Sequence, residues 1–287
     1  MSRLRSPIWW FGGKGMMVAK LLPLFPSHYT YVEPFGGGAS MLMAKEPSPV
    51  EVYNDVDLGL VGFFRVLRNP EQFQEFYRLV SLTPYSREEF YHCRDTWEQT
   101  QDPIECAYRW FVVARMSFGG KFGSSWGFVV TQSRRKMAGP ASNWLSCIDQ
   151  LPAISERLLR VQIEHNDFRK VLDTYDTPNT LFYCDPPYVH SERSSTRCKC
   201  EMSNSDHQAL IEKLLILQGK VLLSGYVNEV YLPLEEAGWE RRDFKTVCYA
   251  VGHTRKTGIQ GEGSALAKQP RIESVWISPN SVKRGLF

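Results

Sequence analysis

Asp185-Pro186-Pro187-Tyr188 stands directly after the apolar run Leu181-Phe182-Tyr183-Cys184, and this placement makes it the strongest chemical signal in the chain. A buried strand that stops at two prolines ends in a rigid loop at its carboxyl edge, where open α/β sheets bind ligands. Prolines carry no N–H, so Asp185 and the Pro186 carbonyl present acceptors there, while Tyr188 adds an aromatic face. Two acceptors beside a ring suit a planar base with an exocyclic amine. An ordinary proline turn is the plain alternative, and the companion motifs weigh against it.

The first companion is Glu33-Pro34-Phe35-Gly36-Gly37-Gly38, between the β-prone run Tyr29-Thr30-Tyr31-Val32 and the apolar Met41-Leu42-Met43-Ala44. Read as strand, glycine turn and helix, it lets a ligand approach the backbone and offers unpaired N–H groups at the helix start. Such turns also serve packing and dinucleotide sites. Asp55 follows Gly36 by 19 residues (55 − 36), near the ~20 at which an acid after the second strand meets ribose hydroxyls. A lone acid after a strand also caps helices, so both readings stand at this point. A further cluster, Trp9-Trp10-Phe11-Gly12-Gly13-Lys14, sets three aromatics against a glycine pair and a lysine that alone would be a solvated surface residue.

The elements that position these residues fall into three parts. Runs at 29–32 and Val50-Glu51-Val52-Tyr53 open an α/β unit, with Asn54-Asp55 closing the second strand. From about 60 to 159 the pattern is helical and aromatic, as in 72–80 and 105–116, and is interrupted by a glycine-rich segment over 118–128. Strand-like runs return at 159–163, 180–184, 220–224 and 274–277, with a helix expected over 206–217. The expected fold is α/β: one catalytic domain with a discontinuous core of about 1–66 and 158–287, and an inserted, mainly helical subdomain over 67–157.

With Phe11-Gly12-Gly13-Lys14, Glu33 to Gly38, Asn54-Asp55 and Asp185 to Tyr188 in that order, the sequence resembles the Dam-type family of DNA adenine-N6 methyltransferases. The likeness runs over nearly the whole chain, through the weaker Asn166-Asp167-Phe168 and Gly252-His253-Thr254-Arg255-Lys256 segments. It implies a Rossmann-like methyltransferase fold whose insert recognises the target, with S-adenosylmethionine as cofactor. Trp10, Gly12, Gly13, Lys14, Glu33, Pro34, Phe35, Gly36, Gly37, Gly38, Asp55 and Asp185 would line its site, and Asp167 and Phe168 would flank its adenine. By the same likeness, Asp185, Pro186, Pro187 and Tyr188 form the catalytic loop: acid and proline carbonyl hold the target amine, and the tyrosine stacks on a base flipped from the duplex. No metal and no covalent intermediate are needed.

Double-stranded DNA is the expected partner. Contacts are expected from Lys121, Ser124, Ser125 and Trp126 in the glycine segment, from Arg134 and Arg135, and from Arg255 and Lys256. A solvated loop and a solvated charge run are the plain alternatives. Gly120 and Lys121 stand roughly where GATC-reading members carry a polar pair, so that recognition sequence does not transfer. Methylation of cytosine N4 is the nearest rival, and Asp185 favours adenine because serine is commoner at that position in cytosine enzymes. A dinucleotide-dependent oxidoreductase would leave Asp185 to Tyr188 unexplained.

Composition agrees with a folded enzyme: 43% hydrophobic and 23% charged residues in 287, with a net charge of +3 that permits a polyanionic partner without requiring one. No apolar run approaches the ~20 residues of a membrane helix. Seven cysteines, an odd number, fit reduced thiols in a cytoplasm. Cys198-Lys199-Cys200, near Cys184, His190 and His207, lacks paired C-x-x-C spacing and is read as free thiols rather than a metal site. The expected state is a monomer or weak dimer acting on DNA.

Overall fold

Residues of the central strands are buried at nearly every position, on both faces, so each strand feeds two apolar layers and must lie between them. A computed structural model describes residues 4–10, 12–189, 202–247 and 270–281. In chain order, a short helix α1 (Val18–Leu21) leads to β1 (Thr30–Glu33), α2 (Ser40–Ala44) and β2 (Val50–Asn54). Helices α3 (Leu58–Arg68), α4 (Pro70–Leu82), α5 (Arg87–Thr96) and α6 (Pro103–Met116) follow. A hairpin, β3 (Ser133–Arg134) and β4 (Met137–Ala138), precedes α7 (Gly139–Ile148) and α8 (Leu151–Leu158). The chain then continues as β5 (Gln162–Glu164), α9 (Phe168–Tyr175), β6 (Thr180–Cys184), α10 (Asn204–Ile216), β7 (Lys220–Gly225), α11 (Leu232–Glu236), β8 (Glu240–Val247) and β9 (Pro270–Ile277).

Among the described residues, seven strands form one sheet in the order β5-β2-β1-β6-β7-β9-β8. Pairings from β5 to β7 are parallel, and β9 is antiparallel to both β7 and β8, so it alone runs against the rest. Tyr31, Tyr53, Leu181, Tyr183 and Leu222 face one apolar layer, which continues through α3, α4 and α6 to Trp110, Phe111 and Trp144. Val32, Val52, Phe182, Cys184, Val221 and Leu223 face the other, against Phe168, Leu210, Leu214 and Leu234. This is the doubly wound α/β architecture expected, and β1 and β6 at its centre mark the switch point where ligands bind.

Helix starts are written locally. Asn69, Ser86 and Asp102 each accept a backbone N–H at the first turn of α4, α5 and α6, and Pro70 and Pro103 occupy first helical positions. Ser203 and Asp206 close a capping box on α10. These caps explain why α4, α6 and α10 begin two residues before the apolar periodicity does.

One sequence expectation needs correction, and one strand had no expectation at all. The run at 159–163 is not a strand from its start: Leu158 completes the buried stripe of α8, Leu159 is 59% exposed, and β5 begins only at Gln162. β8 was not legible, because Glu240-Arg241-Arg242-Asp243 carries the charge that keeps an edge strand from pairing further.

Candidate active site

Carboxyl ends of β1, β2, β5 and β6 bring Glu33, Asp55, Asp167 and Asp185 to one edge of the sheet. Asn54, fully buried, stitches three of these ends: its Nδ2 donates to the carbonyls of Pro34 (2.8 Å) and Asn166 (3.0 Å), and its Oδ1 accepts from Asn166 N (2.8 Å). The Asn-Asp pair therefore divides its labour, Asn54 setting the loops and Asp55 facing the cleft.

The glycine turn is shaped by the protein's own packing. A Cβ on Gly36 would lie 2.1 Å from the Tyr53 ring, and one on Gly38 would lie 2.9 Å from Ser6 Oγ. Gly37 is left-handed (φ +47°), with Trp10 3.1 Å from where its Cβ would be. Its N–H is not left open as the sequence reading expected: it donates to Asp55 Oδ2 at 2.8 Å, and Asp55 Oδ1 accepts from Asp57 N at 2.9 Å. Burial, the largest influence, pushes the Asp55 carboxyl up to about 6. Glu33 is buried, accepts from Tyr31 Oη (2.7 Å) and Leu42 N (2.8 Å), and is pushed by burial up to about 8. It braces the turn to α2 from below.

Lys14 is not a solvated lysine. Only 5% exposed, its Nζ donates to Asp185 Oδ1 (2.6 Å), Tyr188 Oη (2.5 Å) and the Gly12 carbonyl (3.2 Å), and lies 3.2 Å from Glu273 Oε1. Burial alone would lower its pKa, but Asp185 and then Glu273 outweigh that and raise it, so it stays an ammonium ion. Tyr188 donates its hydroxyl to Glu273 Oε1 and packs on Tyr226 at 4.4 Å between ring centroids. Its pKa is raised, first by burial and then by Asp185 and Glu273.

These groups surround a cleft of about 770 Å³. Trp10, Gly12, Gly13, Lys14, the run from Glu33 to Gly38, Asp55, Asp167, Phe168 and the run from Asp185 to Tyr188 all line it. Asp167 is also the N-cap of α9, accepting from Arg169 N, and Phe168 is 5% exposed against Phe35 at 5.2 Å. Trp97, which caps the end of α5, and Trp110 of α6 line the same cleft and were not singled out in sequence, because helical aromatics read as core. Glu273 was missed too: it follows a stretch with no motif, and only strand pairing brings it to Lys14.

The candidate DNA contacts divide. Lys121 lines the cleft, and Ser124 and Ser125 lie in a loop closed by Phe118 N to Ser125 O (2.7 Å) and Gly127 N to Met116 O (2.8 Å). Trp126 is not the free wedge expected: it is half-buried between Tyr85 (5.3 Å) and Phe128 (5.8 Å), with the Arg87 guanidinium over it. Phe118 and Phe128 are the more exposed rings there, at 43% and 49%. Arg134 and Arg135 are exposed on the hairpin, whose turn residues Arg135 and Lys136 are both left-handed (φ 53° and 61°). Arg255 and Lys256, and Cys198, Cys200 and His190, lie outside the described residues. Among the described residues no cluster of metal-ligating side chains occurs, and no helix is long and apolar enough to cross a membrane.

The family model of D12 class N6 adenine-specific DNA methyltransferases matches residues 10–242. The chain is also similar to the modification methylase StsI of Streptococcus sanguinis, 22% identical over 198 residues, 65% of this chain. It spans 29% of the length of that relative.

Proposed function

Because the chain belongs to the D12 class of N6 adenine-specific DNA methyltransferases, we propose that it transfers a methyl group from S-adenosylmethionine to the exocyclic amine of an adenine turned out of duplex DNA. The observation that carries this reading is Asp185, held at the end of the central strand β6 in the same cleft as Asp55 and the glycine turn. The cleft's size, the 19-residue spacing of Asp55 from Gly36 and the aromatic walls fit a nucleoside sulfonium. When bound, S-adenosylmethionine supplies an activated methyl.

The chain's own groups then have a limited task. An adenine amine is a poor nucleophile because its lone pair is conjugated into the ring. Asp185 and the Pro186 carbonyl accept its hydrogens, draw the nitrogen toward tetrahedral geometry and meet the positive charge that develops on it. Holding amine and methyl in line is worth up to ~7–11 kcal/mol of the barrier. Tyr188 supplies the ring for the displaced base, which offsets part of the few kcal/mol needed to flip it. Residues 67–157 serve target recognition in this reading, with Lys121 at the cleft mouth and Arg134 and Arg135 on phosphates. Tritium transfer from labelled cofactor into duplex DNA, followed by nucleoside analysis, tests it: N6-methyladenine supports the reading, and N4-methylcytosine replaces it with the cytosine rival.

Asp55→Ala is expected to weaken S-adenosylmethionine binding by roughly 1.5–3 kcal/mol, the worth of a charged acceptor. With the Asp55 carboxyl near 6, wild-type affinity should fall as pH drops through 6, because protonation removes the charge; Asp55→Asn should flatten that dependence. Calorimetry across pH 5–8 reads both, and wild-type affinity in Asp55→Ala contradicts the assignment.

Arg134→Ala and Arg135→Ala are expected to weaken binding to all duplex sequences alike and to reduce the salt slope by about one unit each, since phosphate contacts carry no base information. Their guanidinium groups donate to Asn143 Oδ1 (3.2 Å) and Ser146 Oγ (2.8 Å) at the surface, so the fold should not suffer. An unchanged slope makes the hairpin a solvated face.

A further inference from the structure

β9 lies beyond the residues matched by the family and carries Glu273, a carboxylate only 5% exposed. Three groups converge on its Oε1: the Tyr188 hydroxyl, Ser224 Oγ at 3.0 Å and Lys14 Nζ at 3.2 Å. Lys14 in turn reaches Asp185 at 2.6 Å. One ammonium ion is thus shared between two carboxylates, and the tyrosine hydroxyl joins it to the second.

A buried carboxylate is expensive, and one that merely offset Lys14 would be redundant beside Asp185. Asp185 is linked to Tyr188 through Lys14, whereas Glu273 accepts the tyrosine hydroxyl directly. We propose that Glu273 is the positioning residue of the catalytic loop: it anchors Tyr188 by its hydroxyl and takes part of the Lys14 charge, so that Asp185 keeps acceptor strength for the target amine. The inference rests on the methyltransferase reading and adds a residue to it. Ser224, on the neighbouring strand β7, fixes the carboxylate, and Tyr226 backs the ring that Glu273 holds. Because β7 and β9 are paired through Ser224↔Val275 and Gly225↔Ser274, the anchor is rigid sheet rather than loop.

The test uses the full chain, tritiated S-adenosylmethionine and unmethylated duplex DNA of mixed sequence. Glu273→Ala is expected to lower kcat about 100-fold, the effect of misplacing a reacting group by an ångström, while the cofactor Kd stays within about threefold. Glu273→Gln keeps an acceptor for Tyr188 and Ser224 and should recover about tenfold of that loss, a rescue that tracks the anchor rather than the fold. Tyr188→Phe removes the hydroxyl but keeps the ring, and should cost clearly less in the Glu273→Ala background than alone, because the two side chains share a hydrogen bond. Three results overturn the proposal: kcat of Glu273→Ala within about twofold of wild type, additive losses in the double variant, or parallel loss of kcat, cofactor affinity and melting temperature that Glu273→Gln does not relieve. Failure of the wild-type chain to label any DNA instead sinks the methyltransferase reading itself.

Discussion

Asp185→Ala is expected to reduce methyl transfer by about 10²–10³-fold, as removal of a preplaced group that meets developing charge does elsewhere. Cofactor affinity should change far less, because Asp55 and the glycine turn do not depend on Asp185. The structure adds a reason why the variant should still fold. Lys14, otherwise a buried cation stripped of its partner, keeps Glu273 at 3.2 Å and the Tyr188 hydroxyl. Asp185→Asn preserves size but weakens the acceptor and offers donors that oppose an amine, so its rate should also collapse. Tritium transfer with nucleoside analysis decides, alongside a thermal melt. Turnover near wild type in Asp185→Ala overturns the mechanism, whereas lost turnover with a collapsed melt assigns the residue to structure.

Gly36→Ala is expected to be the most damaging single methyl group in the cleft proposed for S-adenosylmethionine. Its Cβ would sit 2.1 Å from Tyr53 Cε2 and 2.5 Å from Cδ2. The ring cannot step aside: Tyr53 is fully buried, donates its hydroxyl to the Gly37 carbonyl at 2.7 Å and packs edge-on against Phe64 at 4.8 Å. Overpacking of this kind costs about 1–3 kcal/mol. For a domain of this size that is a fall in Tm of about 2–4 °C per kcal/mol. Because the displaced ring holds the Gly37 carbonyl, S-adenosylmethionine affinity should fall about tenfold as well. Gly62→Ala is the control, since in α3 an added Cβ meets nothing within 4 Å and should stabilise by roughly 0.4–1 kcal/mol. Equal melting of Gly36→Ala and wild type would show that the turn adapts, and the packing argument would fail.

The parts of this molecule that were legible in sequence are those where chemistry and local backbone coincide. Asp185 could be placed because an apolar run with two prolines after it ends a buried strand wherever it occurs, and Asp55 because strand, turn and helix lengths fix its distance from Gly36. Lys14 was found as a residue but not as a partner: its bonds to Asp185 and Glu273 join segments that only the sheet order brings together. Trp126 misled for the opposite reason, since glycines on both sides suggest exposure, whereas Tyr85, far earlier in the chain, covers its face. Asn54 shows the same limit at smaller scale, since a side chain that stitches three strand ends carries no local mark of doing so.

The reversed strand β9 has a consequence for how the protein is made. It lies between β7 and β8, yet both are complete in the chain before Pro270 is reached. A nascent chain emerging from the ribosome can assemble the parallel strands β5, β2, β1, β6 and β7 early, but β8 has no place in the sheet until β9 arrives to bridge it. Closing such a non-local pairing is entropically slow, so it falls late in folding. The carboxylate that shares Lys14 therefore joins its partners only after β6 and the segment carrying Asp185 have already been laid down.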